Sequence, residues 1–446
     1  MAKRHINRPG DLESLFVRLE ELVLANSGED EFEEVFKLVI AKLWDESCGK
    51  GRRFYSHSNE ATTHGAITCL LNEAGQAWPG VLGPPFEPAL TPQHLQVCVD
   101  VLAQHRISDS SLEVMDNFFE FLVSKSAKGA KGQYFTPRHV VEFCVRMIKP
   151  DKGETVVDPA CGSGGFLMHA FNYIRCHHDM SEQESAEYCK TKLWGFDIDS
   201  RAVRIAKALF MLTGGTSINA IRLNSLLRPD MAGLFALAGE GTEEPENGSS
   251  LTIEDVARSQ LRHHKGFDVV LTNPPFAGEV RESHLLNGYV SSQGRLSVER
   301  DVLFIERCVQ LLRPGGRMAI VLPHNKLGAD AWGYVRKWLL QNTRVLAVVG
   351  LGRNTFLPHT HQKAEVLFLQ KNEPRVRTVQ EQPIFFGISE RDGKNSKGQH
   401  MIRPGRGHLD SMWDRLDHDL EEMVEAYHTF SHVPSIDGGE QTWQSG

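Results

Sequence analysis

The sequence lacks the features of membrane-spanning, secreted and disulfide-bonded proteins. Its 446 residues contain no apolar run near the roughly 18 residues that cross a bilayer. The opening residues, MAKRHINRPGDLE, are polar and contain no apolar signal-peptide core. The 8 cysteines are scattered without a Cys-x-x-Cys pair, which favours reduced thiols over a disulfide framework or a zinc site. We therefore expect a cytoplasmic protein with no membrane partner.

Positive charge is also scarce. The formal net charge is −8 at pH 7, which argues against a chain that binds nucleic acid by its overall charge alone. Basic residues do form a local basic rim on this acidic chain, which suggests DNA binding shared with a partner; they are Lys125, Lys128, Lys131 and Arg138, then Arg281, Arg295 and Arg300. The histidines that could suggest a metal site are His177, His178, His263, His264, His359 and His361. They have no acidic or cysteine partners at ligand spacing, so we expect solvated surface histidines and no metal.

The decapeptide FDVVLTNPPF (267–276) is the most informative part of the sequence. Its apolar run predicts a buried strand, which Pro274 and Pro275 end because they cannot donate to a sheet ladder. The turn then lies at the carboxyl end of the strand, where open α/β sheets place their ligands. Asn273 and Pro274 offer two carbonyl acceptors, and Phe276 offers a flat face. Two acceptors and a stacking surface suit a planar exocyclic amine, such as N6 of adenine.

The segment TVVDPACGSGGFLMHA (155–170) predicts a strand, a Gly-rich turn and a helix. The glycines do not form G-x-G-x-x-G and no Gly-Lys-Ser/Thr follows, which excludes the dinucleotide fingerprint and the P-loop. Asp158, at the end of the strand, suits a cationic, amine-bearing ligand better than a pyrophosphate. The next predicted strand ends at Asp197, whose carboxylate can accept hydrogen bonds from both ribose hydroxyls. Together these features imply S-adenosylmethionine as the ligand.

These segments, together with QYFTPRHVVEFCV (133–145), resemble those of N6-adenine DNA methyltransferases that carry their cofactor motifs before the catalytic motif. More narrowly, the chain resembles the modification (M) subunit of type I restriction-modification systems. The likeness is strong over 125–371 and weaker in the N-terminal helices and in EEMVEAYHTF (421–430). The resemblance implies a site-specific enzyme that transfers a methyl group from S-adenosylmethionine to a flipped adenine in duplex DNA.

The resemblance also implies the site residues. The catalytic set is Asn273, Pro274, Pro275 and Phe276. The cofactor-binding set is Tyr134, Phe135, Thr136, Pro137, Asp158, Pro159, Ala160, Gly162, Ser163, Gly164, Asp197, Ile198, Asn224, Ser225, Leu226 and Asn273. By resemblance, the residues up to 137 line the methionine side, Asp197 takes the ribose and Ile198 packs on the adenine. The family usually has an acid at the position of Asn224. The amide oxygen of Asn224 can still contact the adenine amine of the cofactor, but it carries no charge.

The expected fold is α/β, a Rossmann-like doubly wound sheet of the S-adenosylmethionine-dependent methyltransferase type. We expect an all-α N-terminal domain over 1–124, the catalytic domain over 125–372, and a partly helical extension over 373–446 that contacts a partner. The predicted strands span 155–159, 193–198, 217–223, 267–273, 316–322, 344–350 and 364–370. The predicted helices of this domain span 138–149, 165–178, 200–213, 299–313 and 329–341, with a further helix at about 409–428. The last strand follows the sixth without room for a helix, so we expect it to insert antiparallel.

Two insertions interrupt the catalytic domain. Residues 239–250 are acidic and rich in small residues, which predicts a mobile surface loop. Residues 277–297 leave the catalytic motif directly, and they are either a lid or DNA-facing loop or a plain connection. The chain after 371 is too short for a target-recognition domain. We therefore expect double-stranded DNA and a separate specificity subunit as partners, with a restriction/translocase subunit and a second copy of this chain as further partners implied by the resemblance.

Three alternative functions remain at this point. A stand-alone DNA adenine methyltransferase would need a recognition module that the sequence does not reveal. A protein-glutamine methyltransferase also uses an NPP(Y/F) site, although the QYFTP phrase and the N-terminal helices argue against it. A non-catalytic assembly protein in a defence complex is disfavoured by the intact motif from Asn273 to Phe276.

Overall fold

The computed structural model describes residues 4–5, 9–21, 27–47, 53–108, 112–126, 135–214, 216–227, 266–373, 383–407, 409 and 411–431. Several features named above lie outside these residues: Tyr134, Lys128, Lys131, His263, His264 and the acidic insertion 239–250. Within the described part of the chain, no helix is both long enough and apolar enough to span a membrane.

The N-terminal part is helical, as predicted. Its helices are α1 (Pro9–Leu19), α2 (Glu31–Ser47), α3 (Glu60–Ala77), α4 (Pro92–Ala103) and α5 (Leu112–Ser126). The side chain of Asn59 caps α3 by accepting from the backbone N–H of Thr62, and Thr91 caps α4 just before Pro92. Two short strands that the patterns did not predict, Arg4–His5 and His105–Arg106, pair in parallel.

The rest of the chain alternates strands and helices. The elements are α6 (Arg138–Ile148), β1 (Val156–Asp158), α7 (Gly165–His178), α8 (Glu182–Lys192), β2 (Leu193–Asp197), α9 (Ser200–Gly214), β3 (Asn219–Arg222), β4 (Phe267–Thr272), α10 (Arg300–Leu311), β5 (Leu312–Pro323), α11 (Gly333–Asn342), β6 (Thr343–Gly350), β7 (Ala364–Lys371), β8 (Phe385–Ile388) and α12 (Leu420–Ser431). Shorter elements are the ribbon Glu279–Val280 with Val298–Glu299, the single turns Ser283–Leu286, Asn325–Gly328 and Met412–Arg415, and the 3-10 turns Val290–Ser292 and Asp330–Trp332.

The main sheet has 8 strands in the order β8-β6-β7-β5-β4-β1-β2-β3. β7 runs antiparallel to both of its neighbours, β5 and β6, which confirms the predicted antiparallel insertion. All the other neighbouring pairs in this sheet are parallel. The strand order reverses between β1 and β4, so the carboxyl ends of these two strands border the crevice where such sheets bind ligands.

Helices cover both faces of the sheet. One face packs against α6, α7 and α9, and its core continues into the N-terminal helices, while the other face packs against α10 and α11. Arg204 of α9 links the two parts of the chain, because its guanidinium pairs with Glu33 at 2.7 Å and donates to the carbonyl of Val81 at 2.9 Å. The same guanidinium lies 4.8 Å from the ring centre of Phe36. The N-terminal helices therefore pack directly against α9, one of the helices that cover the sheet.

The C-terminal extension differs from its expected form. It contributes β8, which pairs in parallel with β6 from Ala347–Phe385 to Gly350–Ile388. The helix expected at about 409–428 is divided into Met412–Arg415 and α12. The sequence Phe-Phe-Gly-Ile over 385–388 does not alternate apolar with polar residues, which is why the period-2 pattern of a strand is missing there. The expected boundary at residue 372 thus divides a single sheet.

Candidate active site

A hydrogen bond joins the two strands at the point where the strand order reverses. Asp158 ends β1 and is only 1% exposed, and its Oδ1 accepts from the hydroxyl of Thr272, the last residue of β4, at 2.6 Å. The backbone N–H of Ala160 donates to the same oxygen at 3.0 Å. Burial raises the pKa of Asp158 to about 7, against the two hydrogen bonds that favour its ionised form. The carboxyl group is therefore near its titration point at neutral pH.

The Gly-rich turn connects β1 to α7. Gly162 and Gly164 have φ of +51° and +87°, a region that favours glycine. A Cβ at Gly164 would also lie 3.2 Å from Cβ of Ala206 on α9. Asp197 ends β2, and its carboxylate accepts from the N–H of Gly162 and of Asp199, each at 2.9 Å. Burial raises the pKa of Asp197 as well. Two carboxyl groups and a glycine turn thus share one edge of the sheet.

The segment Asn224–Leu226 lies beside this turn. The Ser225 hydroxyl donates to the carbonyl of Pro159 at 2.6 Å, which holds the segment against the end of β1. Asn224 Oδ1 accepts from the N–H of Leu226 at 3.1 Å, so part of its acceptor capacity is used within the segment. Ile198, directly after β2, is 64% exposed, which leaves an apolar surface open at the edge where an adenine is expected.

The catalytic motif follows β4 directly. The Asn273 side chain donates from Nδ2 to Oγ1 of Thr136 at 2.9 Å. Thr136 of the QYFTP segment therefore contacts the segment that follows β4. Pro274 is buried, and Asn273, Pro275 and Phe276 are half-buried. Because Nδ2 is directed at Thr136, the amide oxygen of Asn273 lies on the other side of the amide group.

An aromatic residue outside the predicted set completes this side of the site. Phe356 lies in the loop 351–358 after β6, and its ring packs edge-on against Phe276 at 5.7 Å between centroids. Phe356 is buried, whereas Phe276 keeps part of its surface open. Sequence reasoning missed Phe356, because it lies six residues after the strand that ends at Gly350 and no local pattern links it to Phe276.

A family model for N-6 DNA methylases matches residues 110–438. The chain belongs to the N-6 DNA methylase family. The similar proteins include the Type I restriction enzyme EcoEI methylase subunit of Escherichia coli, 26% identical over 260 residues that cover 58% of this chain and 46% of that one. They also include the MpnII methylase subunit of Mycoplasma pneumoniae, 25% identical over 323 residues that cover 68% and 52% of the two chains. The chain spans about half the length of the curated relatives it matches.

Solved structures support the same fold. A type I restriction-modification methyltransferase subunit from Streptococcus thermophilus superimposes with a TM-score of 0.58 at 16% identity, covering 95% of this chain and 94% of the other. A protein from Vibrio vulnificus described as a type I modification subunit gives a TM-score of 0.62 at 18% identity, covering 97% and 92%. The resemblance to type I modification subunits is thereby confirmed, and so is the methyltransferase-like fold.

Helix α5 of the N-terminal part contacts the Gly-rich turn, which is predicted to bind the cofactor. The Arg138 guanidinium, at the start of α6, forms ion pairs with Asp116 and Glu120 of α5. The Ser163 hydroxyl of the Gly-rich turn lies 3.3 Å from Asp116 Oδ1. Burial raises the pKa values of both acids, that of Glu120 to about 8. Arg138, expected to be part of a basic rim, is instead held in an interdomain ion-pair cluster.

A cavity of about 290 Å³ opens beside this cluster. Its lining residues come from α5, α6, α7, α9 and the C-terminal extension, and they include Asp116, Arg138, Ser163, His169 and Trp413. Because Ser163 and Gly164 belong to both, the cavity adjoins the Gly-rich turn from the side of the helices. Sequence reasoning missed Asp116, Glu120 and Trp413, since no local pattern links them to a motif more than 40 residues away.

The insertion after the catalytic motif is packed against α10. The Glu306 carboxylate accepts from the N–H groups of Val290 and Ser291 at 2.8 and 2.9 Å, and the hydroxyl of buried Tyr289 donates to the carbonyl of Leu226 at 2.5 Å. This packing favours a fixed connection over a lid. The exposed Arg281 pairs with Glu279, and Arg295 stacks on Tyr334 at 3.7 Å, so part of the expected basic rim is engaged locally.

Metal-ligating side chains are not clustered in the part of the chain that the structure describes: no group of three His, Cys, Asp or Glu there could hold an ion. The described cysteines are free thiols. Cys161 lies within the Gly-rich turn, but its thiol is buried, and burial raises its pKa well above the ordinary value.

Proposed function

We propose that this chain is the methyltransferase subunit of a site-specific DNA adenine-N6 methyltransferase that uses S-adenosylmethionine. The observation that carries the proposal is the hydrogen bond between Asn273 and Thr136 at the carboxyl edge of β4, beside the Asp158 carboxyl and the Gly-rich turn. This contact, the carbonyl of buried Pro274 and the half-buried ring of Phe276 support a site for an exocyclic amine at the end of β4.

The residues at the cofactor edge fit S-adenosylmethionine. Asp158 offers a buried carboxyl group to a cationic amino-acid moiety, and Gly162 and Gly164 let the backbone approach closely. Asp197 can accept from ribose hydroxyls through its remaining lone pairs, and exposed Ile198 offers a surface for the adenine. When bound, S-adenosylmethionine supplies a methyl carbon that is activated by the adjacent sulfonium charge.

The chain's own residues position the target. The flipped adenine stacks on Phe276, whose ring is supported from the side by Phe356. The Asn273 amide oxygen and the Pro274 carbonyl accept the two N–H bonds of the exocyclic amine, which directs the nitrogen lone pair toward the methyl group. Base flipping costs a few kcal/mol, and stacking and these hydrogen bonds offset it. Catalysis then rests on orientation and electrostatics, with no covalent nucleophile.

We also propose double-stranded DNA and a separate specificity subunit as partners, with a restriction/translocase subunit and a second copy of the chain as further members. The engagement of Arg138 by Asp116 and Glu120 favours outside help with DNA, because this cation is not available for phosphate contacts. The net charge of −8 points the same way.

The test is methylation-sensitive long-read sequencing of DNA from cells that carry the gene with its genomic neighbours. The control is Asn273→Ala, which removes the amide but leaves the cofactor edge in place. We expect N6-methyladenine at a split, two-part motif that disappears in the control, while the purified variant still binds S-adenosylmethionine. A short continuous motif would point to a different partner. Near-normal methylation by Asn273→Ala, or no methyladenine with the natural sequence, would contradict the proposal, and labelled methyl on protein would support glutamine methylation.

A further inference from the structure

The loop 351–358, which carries Phe356, is held by a segment from the C-terminal extension. Asp392 Oδ2 accepts from the backbone N–H of Asn354 at 3.0 Å. Asp392 Oδ1 lies 3.3 Å from the Thr355 hydroxyl, which can also donate to the carbonyl of Gly352 at 2.9 Å. The Lys394 ammonium donates to the carbonyl of Leu357 at 2.7 Å. Two side chains, one of each charge, thus bind the backbone on both sides of Phe356.

The fit is close enough to need glycine. A Cβ at Gly352 would lie 1.2 Å from Asp392 Oδ1, and one at Gly398 would lie 2.9 Å from the backbone nitrogen of Pro358. The extension also continues the sheet here, because the N–H of Ser389 donates to the carbonyl of Gly350 at 2.8 Å. The contact is therefore a packed interface that continues from the β6–β8 pair.

We propose that Asp392 and Lys394 are positioning residues for the target base: they fix the loop 351–358 so that Phe356 supports the ring of Phe276. This inference rests on the proposed function, and it gives the C-terminal extension a role inside the catalytic site in addition to any partner contact. The route has three links: the Asp392 and Lys394 side chains, the loop backbone, and the edge-on contact between the two rings.

The alternative is that these contacts only stabilise the fold. A positioning role differs from it in one measurable way. Loss of Asp392 should slow base capture and methyl transfer at saturating S-adenosylmethionine, because the cofactor edge at β1 and β2 is untouched. A purely structural role would lower melting temperature and cofactor affinity together, without a separate effect on the target base.

The first experiment uses hydrogen exchange on the full chain, which needs no DNA. In Asp392→Ala, we expect exchange in a peptide covering 354–357 to quicken by tenfold or more, since the Asn354 amide loses its acceptor. Lys394→Met should quicken exchange near Leu357. Asp392→Asn keeps one acceptor oxygen and should restore most of the protection. The matched control is Lys397→Met, which removes an exposed lysine from the same segment.

Gly352→Ala provides an independent variant. Its backbone conformation accepts alanine, but the new Cβ occupies the position of the Asp392 carboxylate. We expect it to reproduce the exchange of Asp392→Ala, and we expect the double variant to be no worse than either single one, because both remove the same contact. Additive effects would show that Gly352 acts elsewhere.

The second experiment measures single-turnover methylation with the partner subunits, and 2-aminopurine fluorescence at the target position. We expect the rate of Asp392→Ala to fall at least tenfold, with the Kd for S-adenosylmethionine within twofold and weaker base-flipping fluorescence. Unchanged exchange in Asp392→Ala, or faster exchange with normal methylation, would overturn the inference while leaving the proposed function intact. Absence of methylation by the natural sequence would count against the proposed function. Even then, unchanged exchange in Asp392→Ala would show that Asp392 does not hold the loop 351–358.

Discussion

The side-chain amide of Asn273 is oriented by Thr136, whose Oγ1 accepts the Nδ2 proton at 2.9 Å. The two residues are 137 positions apart in the chain, and one follows β4 while the other precedes α6. An asparagine amide can rotate by 180° at little cost, and only one of the two orientations offers an acceptor to an adenine amine. The structure has the amide in that orientation, and the contact with the Thr136 hydroxyl fixes the plane of the amide group.

Replacing Thr136 by valine should therefore reduce the rate of methyl transfer. A lost hydrogen bond is worth roughly 1 kcal/mol, which corresponds to about a fivefold slower single-turnover rate at saturating cofactor. Thr136→Ser keeps the hydroxyl and should retain most of the activity. A valine variant as fast as the serine variant would show that the hydroxyl does not orient the amide.

The ionisation of Asp158 should make cofactor binding depend on pH. Burial raises the pKa of Asp158 to about 7, whereas the pKa of an aspartate in the unfolded chain is about 4. The neutral carboxyl therefore makes its full contribution to the free energy of unfolding below about pH 4, and this contribution is lost as the pH rises through 7. A cationic ligand favours the carboxylate. Binding of S-adenosylmethionine should therefore be roughly tenfold weaker at pH 6 than at pH 8.

Calorimetry in buffers of different ionisation heats would measure this effect directly, because binding should release a proton near pH 7. Asp158→Asn keeps an oxygen for the N–H of Ala160 and the hydroxyl of Thr272. This variant should bind with little pH dependence. A pH profile in the variant as steep as in the natural protein would assign the titration to another group.

Loss of the Phe276 ring should weaken capture of the target base more than binding of the cofactor. Base–aromatic stacking is worth about 1–3 kcal/mol, so Phe276→Ala should lower base-flipping fluorescence and slow methylation by roughly tenfold or more. Phe276→Tyr preserves the flat face and should keep most activity. Equal activity of the alanine and tyrosine variants would remove stacking from the mechanism.

The cluster around Arg138 should contribute strongly to stability. Removing one partner of a buried ion pair typically costs about 3–5 kcal/mol, and the raised pKa values of the two acids that face Arg138 let them protonate, which holds the expected loss at the lower end of that range. Urea unfolding of Arg138→Gln should show a loss of that order. Adding Asp116→Asn and Glu120→Gln to this variant should recover part of the lost stability. If Arg138→Gln alone were as stable as the natural protein, the cluster would contribute little.

The thiol of Cys161 should be dispensable for methyl transfer. It is buried in the turn after β1, and its raised pKa keeps it protonated. Cys161→Ala should methylate DNA at a rate within a few-fold of normal once cofactor binding is confirmed. Complete loss of methylation in a folded, cofactor-binding variant would contradict direct transfer.

Local patterns predicted the strands and the motif turns well, because apolar runs that end in Gly or Pro define both. The strand predicted at 267–273 is β4 (Phe267–Thr272), and the helix predicted at 165–178 has those bounds. Helix α8 was missed although Ser181 and Glu184 form a capping box, since its only buried residues are Ser185, Tyr188 and Cys189 and no apolar face is visible. The capping box alone, without an apolar face beside it, did not lead to a helix prediction.

Long-range contacts could not be predicted in the same way. The pairing of Arg138 with Asp116, the contact of Phe356 with Phe276 and the binding of Asn354 by Asp392 each join segments with no shared pattern. Sequence periodicity reports which face of an element is buried, but it does not report which distant element covers that face. The sequence therefore predicts a candidate site where one turn supplies the residues, but it does not predict contacts in which three segments meet.

The position of β8 in the sheet has a consequence for the order in which the protein is made. A nascent chain that has emerged only to residue 372 already contains β1 to β7, the Gly-rich turn and the catalytic asparagine. Its β6 edge is still open, and the loop around Phe356 still lacks Asp392 and Lys394. The edge proposed to bind the cofactor can thus form while the ribosome is still at work, whereas the proposed pocket for the target base is completed only after residues 385–394 have emerged.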